Sequence, residues 1–169
     1  MGWYLTLIAA IAVERLAELV VSKRNLAWSL ARGGTEYGFG HYPFMVVLHV
    51  GLLVGCALEP LLLDRPFLPA LGWPMLAVVL AAQSLRWWCI VTLGPQWNTR
   101  VIVIPGAERV VAGPYRWLSH PNYVAVVVEG FALPLVHTAW LTAAVFTVLN
   151  ALLLRTRLRV ENTALASLS

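Results

Sequence analysis

The sequence predicts an all-α integral membrane protein with about five transmembrane helices. Of its 169 residues, 60% are hydrophobic and only 12% are charged, and the mean hydropathy is +0.75. A soluble domain has about half of its residues apolar and about a quarter charged. The length suits a single domain and divides into about five spans of ~20 residues with their connections. This composition excludes a disordered chain and a nucleic-acid-binding module.

The predicted spans are five apolar stretches, in chain order 3–21, 43–63, 71–93, 121–136 and 138–157. The first is expected to be retained in the protein, because it lacks the cationic start and the small-residue cleavage site of a signal peptide. Pro60, Asp64 and Arg65 stop the second span, and Gly94 and Pro95 end the third. The last two spans are expected to form a tight hairpin that turns at Pro134, His137 and Thr138.

The positions of the cationic residues predict the orientation of these spans. Nine of the twelve follow the first, third or fifth span, namely Lys23, Arg24, Arg32, Arg100, Arg109, Arg116, Arg155, Arg157 and Arg159. Arg65 is the cationic residue in a connection on the opposite side. Because cytoplasmic connections carry the excess of Lys and Arg, we expect the N-terminus outside and the C-terminus in the cytoplasm.

Ionisable residues inside the predicted spans are candidate functional residues, because a charge at bilayer depth is costly unless it finds a partner. Arg15 lies three positions before Glu18 and is expected to pair with it, and Glu14 shares the helix face of Glu18. Arg86 in the third span and Glu129 in the fourth form a second expected pair. These side chains either hold helices together or line a cavity that receives the polar head of a lipid substrate.

The start of the second span carries His41 and Tyr42, and His49 follows His41 by eight positions, about two helical turns. These side chains either form hydrogen bonds inside the bundle or contact the polar head of a substrate. No metal site is expected, because no closely spaced pair of histidines is present. Cys56 and Cys89 lie inside apolar stretches and are predicted to be small buried hydrophobic residues.

The connection 94–120 is the least apolar part of the chain. It is predicted to be extended at 101–104 and again at Val110 and Val111, and to turn at Gly113, Pro114 and Tyr115. The fourth helix should begin at Pro121, since proline is tolerated in the first turn. His120 then lies beside unpaired backbone N–H groups that can bind a carboxylate or another anion. The alternative role for His120 is to cap the helix.

One set of residues in this region resembles a known motif. Gly113, Tyr115, His120, Pro121 and Tyr123, followed later by Arg157 and Glu161, resemble the G-x-Y … R-H-P-x-Y … R-x-x-x-E-E pattern of the isoprenylcysteine carboxyl methyltransferase family. Members of this family are integral membrane enzymes that use S-adenosylmethionine. The resemblance implies a cytoplasmic-side cofactor pocket built by the 94–120 connection, helix four and the C-terminal tail.

The site residues that follow from the resemblance and from their chemistry fall into two sets. The cofactor-binding set contains Gln96, Trp97, Gly113, Tyr115, His120, Pro121, Asn122, Tyr123, Glu161 and Asn162. Arg157 and Glu161 match the C-terminal pair of the family and are the candidate catalytic residues. Two positions depart from the pattern: Ser119 stands where the family has arginine, and Asn162 replaces the second glutamate. Both departures argue against a prenylcysteine substrate.

The N-terminal half resembles a bacterial branch of the family whose members O-methylate long-chain polyketides, the alkylpyrones and alkylresorcinols. This resemblance implies a lipophilic hydroxyl acceptor that enters from the lipids of a bacterial inner membrane. The candidate substrate-binding residues are Glu14, Arg15, Glu18, His41, Tyr42, His49, Arg86 and Glu129. Carboxyl methylation of a prenylcysteine and N-methylation of a phospholipid are the enzymatic alternatives. A membrane transporter or a non-catalytic partner protein is the alternative of another class, and no feature predicts an oligomeric state.

Methyl transfer from a sulfonium is an in-line displacement, so the protein mainly has to align donor and acceptor and exclude water. A carboxylate or an enolic acceptor is already ionised near neutral pH. A phenol would benefit from a base such as Glu129 or Glu161, or from Arg157 beside the developing phenoxide.

Overall fold

The structure is a computed structural model, and it describes residues 1–108 and 110–166. Most of these residues lie in five helices: α1 (Gly2–Leu30), α2 (Tyr42–Leu62), α3 (Pro69–Leu93), α4 (Pro121–Leu135) and α5 (Trp140–Ala166). Short 3-10 turns lie at Phe39–His41, Gly94–Gln96 and Gly113–Arg116. The prediction of a helical protein is therefore confirmed. The start of α4 at Pro121 and the turn before it also agree with the prediction.

The first helix is longer than predicted. We expected the span to end near residue 21 and a connection to follow, whereas α1 continues to Leu30. Two causes extend it. Residues 22–30 are rich in Leu, Ala, Lys and Arg, which favour helix. The side chains of Ser22 and Asn25 also bind the segment 94–99, which fixes this last part of the helix.

Two short strands lie at one end of the bundle. β1 (Thr35–Tyr37) follows α1 and pairs antiparallel with β2 (Val101–Val103), so that Glu36 lies opposite Ile102. The predicted extended run at 101–104 is therefore present as β2. Val110 and Val111, which were expected in an extended or interfacial connection, belong to neither strand. A strand needs a partner for its backbone groups, and all three residues of β1 already pair with β2.

Within the described residues, three helices are long and apolar enough to cross a membrane: Tyr42–Leu62, Pro69–Gln96 and Trp140–Glu161. The helix α4 is also apolar but has 15 residues. The helix α1 carries Glu14, Arg15 and Glu18 in its middle, which lowers its hydropathy. With these apolar helices the chain has the character of an integral membrane protein.

The helix α4 lies in the middle of the bundle and packs against both α3 and α5. Its small residues permit this close packing, since a methyl group added at Gly130 would overlap the ring of Phe146 on α5. On the other side, the buried Tyr4 of α1 donates a 2.9 Å hydrogen bond to the carbonyl of Leu133. The two cysteines, Cys56 and Cys89, are buried and unpaired, as predicted.

The opposite end of the bundle is closed by the α4–α5 turn and the α2–α3 connection. The predicted tight hairpin is present, and Thr138 in its turn has a positive φ of 55°. The hydroxyl of Thr138 donates a 2.6 Å hydrogen bond to the carbonyl of Pro66. Glu59 of α2 caps α5, because its carboxylate accepts the backbone N–H of Leu141 at 3.1 Å and of Thr142 at 2.7 Å. These contacts leave the β1–β2 end as the open end.

Candidate functional site

A cleft of about 160 Å³, partly open to solvent, lies at the β1–β2 end of the bundle. Its walls come from the segment 93–103, the turn before α4, the first turn of α4 and the last third of α5. The structure brings together seven of the predicted cofactor-binding residues here: Gln96, Trp97, Tyr115, His120, Asn122, Tyr123 and Glu161. Arg157, the other candidate catalytic residue, also lines the cleft.

Three predicted cofactor residues stand apart from this lining. Gly113 shapes the wall from behind: its φ is +53°, and a methyl group added there would overlap the hydroxyl of Thr92. Pro121 is buried and begins α4. The side chain of Asn162 lies outside the described part of the chain.

Tyr123 connects the two candidate catalytic residues. Its phenol donates a hydrogen bond to Glu161 and accepts one of 2.8 Å from Nε of Arg157. Arg157 is buried and also points Nη1 at the sulfur of Met45, 2.8 Å away. The carboxylate of Glu161 lies 3.7 Å from Nδ1 of His120. One cation and one carboxylate are thereby held at defined positions on the same wall of the cleft.

His120 is the N-cap residue of α4, but its side chain makes no capping hydrogen bond. Its ring instead stacks on Tyr123, with 5.2 Å between centroids and 10° between planes. The alternative role as a simple helix cap is therefore not seen. The first-turn N–H groups of α4 stay available beside this ring.

Two buried polar atoms of the cleft residues lack a hydrogen-bond partner among the described residues. They are Nε1 of Trp97, a residue only 2% exposed, and Oδ1 of Asn122. A buried donor or acceptor without a partner costs about 1–3 kcal/mol. One unpaired donor and one unpaired acceptor in the same cleft are typical of a site that completes its hydrogen bonds with a ligand.

The helix α1 holds the rim of the cleft through hydrogen bonds that the sequence did not predict. Asn25 donates to the carbonyls of Gly94, at 3.1 Å, and Trp97, at 2.7 Å. One turn earlier, Ser22 donates a 2.8 Å bond to Oδ1 of Asn98 and accepts the backbone N–H of Thr99 at 3.1 Å. These bonds fix the segment that carries Trp97.

A second tie joins β1 to the segment before β2. Arg100 forms a 2.7 Å ion pair with Glu36, and its guanidinium lies 4.3 Å from the ring centroid of Tyr42. The hydrogen bond to Glu36 raises the pKa of Arg100 further above its usual value. Tyr42, a predicted substrate residue, therefore supports the rim of the cleft.

The titration of two groups near the cleft is shifted by burial. Burial raises the pKa of Tyr115 well above its usual value, and the nearby thiol of Cys89 adds to this effect, so Tyr115 remains a neutral phenol. Burial also lowers the pKa of His41, and the positive charge of Arg157 lowers it further. Near neutral pH, His41 is therefore an uncharged imidazole.

Five charged side chains of α1, α3 and α4 meet in one cluster inside the bundle, here called the charged cluster: Glu14, Arg15, Glu18, Arg86 and Glu129. Both expected pairs are present: Arg15 to Glu18 at 2.6 Å and Arg86 to Glu129 at 2.7 Å. Arg15 also reaches Glu129 at 3.1 Å. Two further members, Gln83 and Trp87, donate hydrogen bonds to Glu14 and were not predicted. The sequence did not single out Gln83 and Trp87, because their side chains are uncharged.

A second and much smaller cavity, of about 20 Å³, lies against this cluster. It is lined by Arg15, Arg86, Glu129 and His49 together with apolar side chains of α1, α2, α4 and α5. His49 makes a 2.8 Å hydrogen bond between Nδ1 and the carbonyl of Met45. The predicted substrate residues are thus divided: His41 and Tyr42 lie at the open end, and His49 lies deeper with the cluster. Within the described residues, no group of three His, Cys, Asp or Glu side chains could hold a metal ion.

Comparison with known proteins places these residues in a family. A family model described as Isoprenylcysteine carboxyl methyltransferase (ICMT) family matches residues 75–167, which is more than half of the chain. The chain is 38% identical over 164 residues to "Uncharacterized protein YpbQ" of Bacillus subtilis, covering 96% of each chain. It is 24% identical over 161 residues to an uncharacterized protein of Haemophilus influenzae, covering 95% of this chain and 93% of that one. The matched segment contains every residue that lines the cleft. The chain therefore belongs to the isoprenylcysteine carboxyl methyltransferase family, and this membership implies that it is a membrane methyltransferase.

Proposed function

We propose that the protein transfers a methyl group from S-adenosylmethionine to a hydroxyl of a lipophilic acceptor, most specifically a long-chain polyketide such as an alkylpyrone or alkylresorcinol. The observation that carries the proposal is the cleft in which Tyr123 joins Arg157 to Glu161 beside two unpaired buried polar atoms. Carboxyl methylation of a prenylcysteine or N-methylation of a phospholipid amine would use the same cleft with another acceptor.

The residues of the cleft fit the cofactor. Trp97 offers an unpaired N–H donor and Asn122 an unpaired carbonyl acceptor, as hydrogen bonding to a nucleoside requires. The start of α4 beside His120 suits the carboxylate of the methionine part, since helix N-termini bind anions. Glu161 suits its ammonium group or the ribose hydroxyls.

When bound, S-adenosylmethionine supplies an electrophilic methyl group on a sulfonium. The work left to the chain is to align the acceptor oxygen and to exclude water. Arg157, held by Tyr123 and Met45, provides a fixed positive charge that stabilises negative charge developing on the acceptor oxygen. Strand β2, whose residues Val101 and Val103 are buried, covers one side of the cleft with apolar surface.

The acceptor is lipophilic because the enzyme is built into apolar surroundings. Each methylene of an alkyl tail that leaves water contributes about 0.8 kcal/mol, so a long tail concentrates the substrate in the bilayer. Ser119, which replaces the family arginine, lines the cleft and removes one positive charge from it. An acceptor with a carboxylate would need that charge more than a hydroxyl does.

We further propose that all five helices span the inner membrane of a bacterium, with the N-terminus outside and the cleft on the cytoplasmic side. The helix α1 has 29 residues and is about 44 Å long, which exceeds the ~30 Å hydrocarbon core. Its charged middle is compatible with a span because each charge is paired inside the bundle. Stacked tryptophans Trp3 and Trp73 mark one interface, and the Trp88–Trp117 pair marks the other.

The proposal is tested by incubating the purified protein, reconstituted in lipid, with S-adenosylmethionine labelled in the methyl group. Long-chain alkylpyrones, alkylresorcinols, prenylated cysteine and phosphatidylethanolamine are offered in separate reactions. We expect label in the methyl ether of a polyketide. If label is found only in a prenylcysteine ester or a phospholipid, that compound is the acceptor instead of a polyketide. If no lipid is labelled in any reaction, the proposal is overturned and the non-catalytic alternative remains.

A further inference from the structure

The small cavity beside the charged cluster has the size and the lining of a site for one water molecule. Its volume is about 20 Å³, and a space of about 10–15 Å³ is enough for one water when polar groups line it. Four of its nine lining side chains are charged or polar, namely Arg15, Arg86, Glu129 and His49. Cavities that stay dry have apolar walls, so this lining favours a hydrated cavity.

Arg86 has more hydrogen-bond donors than the residues around it accept. A guanidinium carries five N–H groups, but among the described residues Arg86 makes one hydrogen bond, from Nη2 to Glu129 at 2.7 Å. Its Nη1 lies 3.6 Å from Glu18, and its buried Nε has no partner within the described part of the chain. Because Arg86 is only 5% exposed, bulk water does not satisfy these donors. A water molecule held in the cavity is an acceptor for this side chain.

His49 lines the same cavity and adds an acceptor to it. Its Nδ1 lies 2.8 Å from the carbonyl of Met45, and because a carbonyl can only accept, Nδ1 carries a proton. The two guanidiniums in the lining disfavour a second proton on the ring, so Nε2 keeps its lone pair. The carboxylate of Glu129 is a further acceptor. A water molecule therefore meets one donor and two acceptors, and three hydrogen bonds are typical of buried water.

The cavity is connected to the cleft through α2. Met45 accepts the hydrogen bond from His49, and its sulfur lies 2.8 Å from Nη1 of Arg157. His49 therefore lies directly behind the residue that contacts Arg157. Arg86 and Glu129 belong to α3 and α4, whereas His49 belongs to α2, and no direct hydrogen bond joins His49 to the charged cluster among the described residues. A water that joins these side chains fastens α2 to the other two helices.

We propose that one internal water molecule occupies this cavity and joins His49 of α2 to Arg86 of α3 and Glu129 of α4. The water accepts from the guanidinium and donates to the imidazole and the carboxylate. Through this bridge His49 becomes a positioning residue, because it fixes the backbone of Met45, whose sulfur contacts Arg157. The water site rests on the cavity alone, whereas the positioning role rests on the proposed function and deepens it.

The water is detected directly by NMR of the protein in lipid nanodiscs, with arginine and histidine labelled with nitrogen-15 and without methyl donor. We expect cross-relaxation between water and an N–H group of Arg86, whose signal is assigned by its loss in Arg86→Lys. We also expect Nε2 of His49 to have the shift of an unprotonated nitrogen that accepts a hydrogen bond. Absence of the cross-relaxation, or a proton on Nε2, overturns the proposal.

Filling the cavity separates a hydrated site from a dry one. The variant Val126→Ile adds one methyl group to the wall of the cavity. Filling a dry cavity stabilises a protein, whereas displacing a bound water leaves buried polar groups without partners and should raise the equilibrium constant of unfolding at least about fivefold. We expect this loss, together with loss of the cross-relaxation. The control Val127→Ile changes a neighbour that is 40% exposed and should alter neither. A more stable Val126→Ile overturns the proposal.

Overpacking of the cavity would also lower stability, and a second variant distinguishes the two causes. His49→Leu removes one partner of the water and keeps a side chain of similar size. If Val126→Ile acts by displacing the water, its effect on unfolding should largely disappear when His49→Leu is already present, because the water is then weakly held. An effect of the same size in both backgrounds indicates overpacking and overturns the proposal.

The positioning role of His49 is measured at Arg157 itself. In His49→Leu the nitrogen-15 shift of Nε of Arg157 should move, because this group donates to Tyr123 and its orientation depends on Met45. The kcat should fall by about threefold to tenfold, as for one lost hydrogen bond, while the KM for the methyl donor stays unchanged. An unmoved Arg157 signal in a less stable protein indicates a purely structural role and overturns the positioning role.

These outcomes are separable from the proposed function. If labelled methyl is transferred to a lipid hydroxyl and the cross-relaxation is absent, the water site is wrong and the methyltransferase proposal stands. If the water is detected as expected but no lipid is methylated, the proposed reaction is wrong and the water site stands.

Discussion

Arg157 donates a 2.8 Å hydrogen bond to the phenol of Tyr123, and the same phenol donates to Glu161. The tyrosine hydroxyl is thus the link between a buried cation on α5 and the carboxylate one turn further along that helix. Replacing Tyr123 by phenylalanine removes the link and keeps the ring that stacks on His120. We expect Tyr123→Phe to lower kcat by about tenfold to a hundredfold, because Arg157 loses its orientation. The KM for the methyl donor should change much less.

Glu161 is expected to act in the same network. The variant Glu161→Gln keeps the shape of the side chain and removes its charge, so kcat should fall by at least about tenfold. The matched control is Glu108→Gln, which changes an exposed carboxylate of the 94–120 connection that does not line the cleft. Steady-state kinetics on both variants check this prediction, and equal activity of the two would remove Glu161 from the reaction.

Trp97 offers a sharper test of cofactor binding. Since its indole N–H has no partner among the described residues, Trp97→Phe removes no hydrogen bond of the protein itself. Binding of S-adenosylhomocysteine should weaken by about tenfold, the value of one lost hydrogen bond. Because Trp97→Phe removes no hydrogen bond within the protein, its thermal unfolding temperature should stay close to that of the unmodified protein. Trp117→Phe, at an exposed tryptophan outside the cleft, is the control and should bind the ligand normally.

The charged cluster predicts a coupled effect on stability. Removing one partner of a buried ion pair costs about 3–5 kcal/mol, whereas replacing both partners by apolar residues is close to neutral. We therefore expect Arg86→Met and Glu129→Leu each to lower the free energy of unfolding strongly, and the double variant to recover much of the loss. Thermal unfolding in detergent measures the cycle. Strictly additive losses would show that the 2.7 Å contact does not couple the two side chains.

The pKa of His41 should lie below 6.5, because burial and the charge of Arg157 both disfavour the imidazolium. A histidine whose pKa is lower in the folded state takes up its proton more readily when unfolded. Its neutral form therefore supports stability above pH 6.5, and this contribution is lost as the pH falls through the folded pKa. Carbon-13 NMR of labelled histidine measures the titration. In Arg157→Gln the pKa of His41 should move upward, and no movement would refute the proximity of the two charges.

The charged residues of the bundle were predictable because they are rare. Arg86 and Glu129 could be paired from the sequence, since each charge at membrane depth needs a partner and few are available. The start of α4 at Pro121 was equally visible in the local pattern. The resemblance to a family directed attention to His120, Tyr123, Arg157 and Glu161, which the fold brings to one cleft.

Contacts of neutral residues were not predictable in this way. Asn25 bonds to carbonyls about seventy positions away, and nothing in the pattern around residues 22–30 selects those partners. The same holds for β1, whose three residues become a strand only because β2 lies beside them. Met45 has no polar character that would have placed it against Arg157. In each case tertiary packing, and not local preference, decides the structure.

The bonds from Ser22 and Asn25 to the segment 94–99 have a practical consequence for protein engineering. The family model begins at residue 75, so the helix that holds the rim lies outside the matched segment. A chimera that exchanges residues 75–167 with another member would inherit the lining of the cleft without the anchors that position it. A hybrid should therefore take helix α1 and residues 75–167 from the same family member.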